Sequence, residues 1–119
     1  MSWDDNPLYH PEKHGLTLVA EVELSEPCYS FDTLAVWRGP KGYYMGTDSG
    51  CSCPTPFESY NGVEDMTGPL TVDGILDEAS ALKAASYEPK YDIDGFNEFV
   101  RTVRASETDW LRERAELTR

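Results

Sequence analysis

The sequence predicts an α+β fold, a three-stranded antiparallel β-meander followed by two helices packed on one sheet face. Three observations predict it. Apolar residues recur at every second position from Leu16 to Leu24, the period of a half-buried strand. Two runs rich in aromatic and β-branched residues flank the turn Gly39-Pro40-Lys41-Gly42. Two stretches of the second half then carry apolar residues at helical spacing. Strands that precede helices in the chain favour segregated layers over an alternating β/α sheet.

Taken in order, residues 1–15 hold Pro7, Pro11 and Gly15 among polar neighbours. They read as an irregular arm pinned by Trp3, Leu8 and Tyr9. The meander is expected over residues 16–47. In its first strand Leu16, Leu18, Ala20, Val22 and Leu24 share one face, and Thr17, Val19, Glu21 and Glu23 the other. Ser25-Glu26-Pro27 ends it. Residues 29–38 form the second strand and Tyr43 to Thr47 the third. A connection this short permits only an antiparallel hairpin.

Residues 48–70 read as a Cys/Pro loop, with Asn61-Gly62 and Gly68-Pro69 as turn signals. A helix follows over residues 71–86. Thr71 suits its cap and Asp73 its positive first turn. Val72, Ile75, Leu76, Ala79 and Leu82 form its apolar face, while Gly74 weakens it by about 1 kcal/mol relative to Ala. A polar connector with Pro89 leads to Asp94, the expected cap of a C-terminal helix over 94–118. Phe96, Phe99, Val100 and Val103 start its stripe, and Trp110 and Leu117 continue it. Ser106 could instead cap a second helix there.

At 119 residues the chain is one domain with room for a modest core. Aromatics at 12% speak for a folded protein, because disordered chains are poor in them. No apolar run approaches the roughly 18–20 residues of a membrane span. Met1-Ser2-Trp3-Asp4-Asp5 has no basic or apolar signal region, so a cytoplasmic location is expected. The cysteines would then be reduced, with Cys28 a small buried hydrophobe.

Net charge is −12, and it is uneven: residues 1–100 hold 18 acids against five bases, and residues 101–119 hold four against five. This excludes direct nucleic-acid binding, which needs a basic surface. It suits solubility or a basic partner protein.

The densest chemistry lies in Asp48-Ser49-Gly50-Cys51-Ser52-Cys53-Pro54-Thr55-Pro56-Phe57. Prolines stiffen this segment and could present Asp48, Ser49, Cys51, Cys53 and Phe57 in a fixed shape. Asp48 suits a turn closed with Ser49 and Gly50. Trp37, Tyr43 and Tyr44 are structural or contact aromatics nearby.

For metal, Cys28, Cys51, Cys53, His10 and His14 are the candidate ligands, but zinc sites use paired, wider Cys spacings. Pro11 and Gly15 also argue against a helix aligning the two histidines. Packed thiols are the plainer reading of Cys51 and Cys53, with a disulfide between them or zinc as alternatives. No cofactor is implied.

Catalytic patterns are missing. Both histidines lie far in sequence from Cys51, Ser49 lacks the nucleophile elbow, and the Gly39–Gly42 turn lacks the phosphate-loop pattern. The acid pairs Glu21/Glu23, Glu64/Asp65 and Asp77/Glu78 read as solvated surface, or as phosphate mimics if spaced like a DNA backbone.

Trp37 before the glycine turn, the pair Tyr43-Tyr44, and the run Asp48 to Pro54 with Pro56-Phe57-Glu58 together resemble a family of small uncharacterised proteins from phages of actinobacteria. The resemblance covers Thr33 to Tyr60. It implies a phage gene acting in the cytoplasm of an infected bacterium, and it brings no catalytic residue.

The expected function is therefore non-enzymatic. A phage accessory protein would bind a host or phage protein through the 48–57 loop and the acidic surface. A DNA mimic inhibiting a host nuclease or defence protein is one alternative; a zinc module or virion component is another. The arginines at 101, 104, 112, 114 and 119 either complement the acidic body or flank a homodimer seam along Phe96, Val103, Trp110 and Leu117. At the companion position Phe99, Ser106 and Glu113 provide only one apolar member, which argues against a long coiled coil.

Overall fold

The computed structural model describes residues 10–24, 30–39, 41–51, 65–86 and 92–117. A 3-10 turn, Pro11–His14, leads into β1 (Thr17–Glu23), β2 (Ser30–Gly39), β3 (Gly42–Cys51), β4 (Thr67–Leu70), α1 (Val72–Ala85) and α2 (Ile93–Leu117). The strands form one antiparallel sheet in the order β1-β2-β3-β4. The class is the α+β one read from the sequence, with two helices, but the sheet has four strands and not three.

The fourth strand occupies a stretch that Gly68-Pro69 marked as a turn. Pro lacks an amide donor, so in a sheet it belongs at an edge or a bulge. β4 supplies both. It is an edge strand, and its pairing shifts register between Tyr43↔Leu70 and Met45↔Thr67. Gly68 has φ +147°, and the Gly68–Pro69 peptide is cis. A Cβ at Gly68 would lie 2.6 Å from the Tyr43 carbonyl oxygen, so only glycine lets the two strands approach here.

β3 is also longer than its aromatic run. Asp48, Ser49 and Gly50 suit a turn by local preference, yet they pair with Thr33, Asp32 and Phe31, and Cys51 pairs with Ser30. Their weak strand propensity is overridden by the ladder that β2 offers them.

β1 departs from its simple alternation. Leu18 pairs with Trp37 but Ala20 pairs with Val36, so a bulge falls at Val19. The extra residue turns the strand over. Leu16 and Leu18 join Ala35, Trp37, Tyr44 and Met66 in one cluster. Val19, Ala20, Val22 and Leu24 face the other side, with Leu34, Val36, Tyr43 and Met45. The single face expected for Leu16 through Leu24 is thus divided between two.

Both helices cover that second side. Val72, Ile75, Leu76 and Ala79 of α1 and Phe96, Phe99 and Val103 of α2 complete the main core. Thr71 caps α1, its hydroxyl accepting the Gly74 amide at 3.1 Å. The cap of α2 is Asp92 and not Asp94. The Asp92 carboxylate accepts the Gly95 amide at 3.1 Å, and its carbonyl accepts the Phe96 amide at 3.0 Å. Both aspartates precede the same apolar stripe, and local sequence does not separate them.

α2 runs unbroken through Ser106. That hydroxyl donates to the Val103 carbonyl at 2.7 Å, a back-bond that suits a serine inside a helix. With its proton so engaged, Ser106 Oγ accepts from the Tyr43 hydroxyl at 3.1 Å. One hydrogen bond thereby ties the long helix to the central hairpin.

Among the described residues, no helix is long and apolar enough to cross a membrane.

Candidate functional site

The side of the sheet opposite the helices has two halves. Near the β2–β3 turn lies the smaller cluster around Trp37. Towards the other end of the strands the same face becomes acidic. Period-two alternation from Trp37 places Ala35 and Thr33 there on β2, Glu21 and Glu23 opposite them on β1, and Asp48 opposite Thr33 on β3. Glu23, Thr33 and Asp48 thus form one cross-strand row, with Glu21 a row away.

Local bonding fixes the middle of this arrangement. The Glu23 carboxylate accepts the Asp32 amide at 3.1 Å. Its other oxygen accepts a short hydrogen bond from the Thr33 hydroxyl. Thr33 itself is buried. The Leu24 amide donates to the Asp32 carbonyl at 2.8 Å and continues the β1–β2 pairing past Glu23. Glu21, Val22, Glu23 and Thr33 line a shallow depression of about 230 Å³.

Charge accumulates here. Partial burial and then the neighbouring Glu23 carboxylate push the Glu21 pKa up. On the opposite face Asp32 is raised by burial and by Glu23, against an opposing pull from the Lys83 ammonium. Lys83 is buried at the end of α1 and donates to the Leu24 carbonyl at 3.4 Å. One cation therefore sits beneath an otherwise anionic corner.

Of the residues singled out in the sequence, Asp48, Ser49 and Cys51 come together as the last stretch of β3. Cys28, Cys53 and Phe57 lie outside the described residues. Trp37 is 0% exposed, Tyr43 2% and Tyr44 8%. All three are interior groups. Tyr43 belongs to the main core and Tyr44 to the smaller cluster.

Of the metal candidates, Cys28 and Cys53 lie outside the described residues, and the described ones lie at two ends of the sheet. His10 and His14 bracket the 3-10 turn that precedes Leu16, and Leu16 reaches Gly39 at the turn end of β2. Cys51 pairs with Ser30 at the other end, about 26 Å away along the extended chain from Arg38. Among the described residues no group of three or more His, Cys, Asp or Glu side chains could hold a metal ion.

Sequence reasoning missed the joint role of Glu23 and Thr33. Glu21 and Glu23 were seen as a pair on one strand face, but Thr33 and Asp48 come from other strands. Only the register reveals that they share a row.

Two arginines of α2 find acids within the chain. Arg104 lies 3.8 Å from Asp73 of α1 and Arg101 pairs with Glu98 one turn back, both exposed. Such pairs contribute little stability, and only Arg104–Asp73 links α2 to another element. Phe96 and Val103, the first members of the candidate dimer seam, are buried in the main core. The side chains of Trp110 and Leu117 lie outside the described part of the structure.

The fold and site thus define a small α+β protein, an antiparallel sheet with helices on one side and a carboxylate row on the other. It belongs to the family described as a domain of unknown function, DUF7574, whose match spans residues 5–108. No curated protein and no solved structure matches the chain.

Proposed function

We propose that the protein is a non-enzymatic accessory protein, of phage origin as the resemblance implies, that docks a basic surface of a host or phage protein in the bacterial cytoplasm. The docking surface is the acidic end of the helix-free sheet face, formed by Glu21, Glu23 and Asp48; of the 48–57 loop expected to take part, residues 52–57 lie outside the described residues. The observation that carries this reading is the fixed carboxylate row. Glu23 is held by two hydrogen bonds from β2, so a partner's cations meet a pre-positioned charge and lose little additional side-chain freedom. The overall charge of −12 steers such a partner during encounter.

The test is affinity capture from the bacterial host with the wild type and with Glu21→Lys. Glu21 belongs to neither apolar cluster, so reversal of its charge leaves the core intact. A partner retained at low salt, weakened by added salt, and lost from the Glu21→Lys protein is the expected outcome. Equal capture by both forms refutes the surface. Turnover of a substrate by the purified protein refutes the non-enzymatic reading. Displacement of the captured partner by duplex DNA would replace it with nucleic-acid mimicry.

A further inference from the structure

A second hollow lies at the turn end of the sheet, away from the carboxylate row. Lys41 and Gly42 of the β2–β3 turn, the junction of β4 with α1, and Glu107 of α2 surround an open cleft of about 240 Å³. Its wall is apolar, made by Tyr43, Pro69, Leu70 and Val72. Tyr43 and Val72 are buried in the main core, and Leu70 packs against it. The Tyr43–Ser106 hydrogen bond holds β3 to α2 one residue before Glu107. The wall is therefore preformed by the fold, as small-molecule sites usually are.

Two opposite charges stand at this wall. Lys41 is exposed and Glu107 half-buried. Among the described residues, no ion pair or hydrogen bond engages either side chain, so the two do not neutralise each other. Thr71 adds a hydroxyl to the lining. Its oxygen accepts the Gly74 amide, and its own proton remains to donate.

We propose that this cleft binds a free α-amino acid with an apolar side chain. Glu107 takes the ammonium, Lys41 and the Thr71 hydroxyl take the carboxylate, and the side chain lies on the apolar wall. Volume sets the size within the class. An apolar cavity of about 150 Å³ holds benzene, so one of about 240 Å³ holds about ten non-hydrogen atoms. Leucine and methionine match that count, and tryptophan exceeds it. Other chemistries fit worse. A sugar would find few partners on this wall. A fatty or aromatic acid would leave Glu107 unused and add charge to a chain already at −12. A plain amine would leave Lys41 unused. A zwitterion engages both charges and adds none.

Titration of the isotope-labelled protein with leucine, followed by its amide resonances, tests this. Leucine at millimolar concentration should move the signals of Gly42, Val72 and Glu107 and leave those of Glu21 and Glu23 in place. Two analogues probe the charges on the unaltered protein: isocaproate lacks the ammonium, and leucinamide lacks the carboxylate. Each should bind about tenfold or more weakly than leucine. Glu107→Gln should weaken leucine by a similar factor, with circular dichroism showing that the fold is kept. No response to leucine or methionine, responses confined to other parts of the chain, or an analogue that binds as well as leucine would each overturn the proposal. Equal affinity of leucine for Glu107→Gln and the wild type would overturn it too.

Discussion

Two glycines should answer the same substitution with opposite signs. At Gly68 the backbone has φ +147°, and an added Cβ would lie 2.6 Å from the Tyr43 carbonyl oxygen and 2.8 Å from Tyr44 Cδ1. The strained backbone costs about 1–3 kcal/mol for a residue with a side chain. Displacing β3, whose carbonyl cannot yield as a side-chain tip would, adds about 1–3 kcal/mol. Gly68→Ala should therefore lose about 3 kcal/mol, in the lower half of the summed range of about 2–6 kcal/mol.

Gly74 lies in the first turn of α1, where an added Cβ would meet the Thr71 hydroxyl oxygen at 3.4 Å, an ordinary contact. Gly74→Ala should gain up to about 1 kcal/mol from helix propensity alone. In urea, with a slope of about 1.5 kcal/mol/M, the midpoints should fall by about 2 M and rise by about 0.5 M respectively. Circular dichroism across a urea series reads both. A Gly68→Ala midpoint equal to the wild type's would refute the close approach of β4 to β3. A Gly74→Ala loss above 1 kcal/mol would refute the open environment of the α1 cap.

Tyr43→Phe removes the hydrogen bond to Ser106 and should cost about 1 kcal/mol, since Ser106 keeps its bond to Val103. Amide exchange around Ser106 should quicken in that variant, and unchanged exchange would show that the bond does not hold α2. Glu21 has a folded-state pKa raised by partial burial and by Glu23, so its protonated form fits the fold better than its charged form. Its contribution to stability is therefore present below the unfolded-state pKa and is lost as pH rises through the raised folded one. Glu21→Gln should be more stable than the wild type at pH 7, with the gap closing as the pH falls toward 4; urea midpoints along that range give the comparison.

The elements with one dominant periodicity were legible in the sequence. The α1 face Val72, Ile75, Leu76 and Ala79, the cap at Thr71, and the hairpin about Gly39–Gly42 all follow from local rules. What escaped depends on non-local pairing. Gly68-Pro69 reads as a turn because both residues break structure locally, and only the shape of β3 makes them part of an edge strand. Asp48-Ser49-Gly50 looks like a turn for the same reason. The bulge at Val19 leaves no mark in the sequence, since Leu18, Val19 and Ala20 would suit either face. At the site, each carboxylate was visible by itself. The row formed by Glu23, Thr33 and Asp48 was not, because it exists only across three strands.

Because β1 changes sides at Val19, a single edge strand belongs to both interiors. Leu16 and Leu18 anchor it on one side; Ala20, Val22 and Leu24 anchor it on the other. Peeling it away would open both at once. Loss of that strand would expose both clusters together, which couples the two small cores.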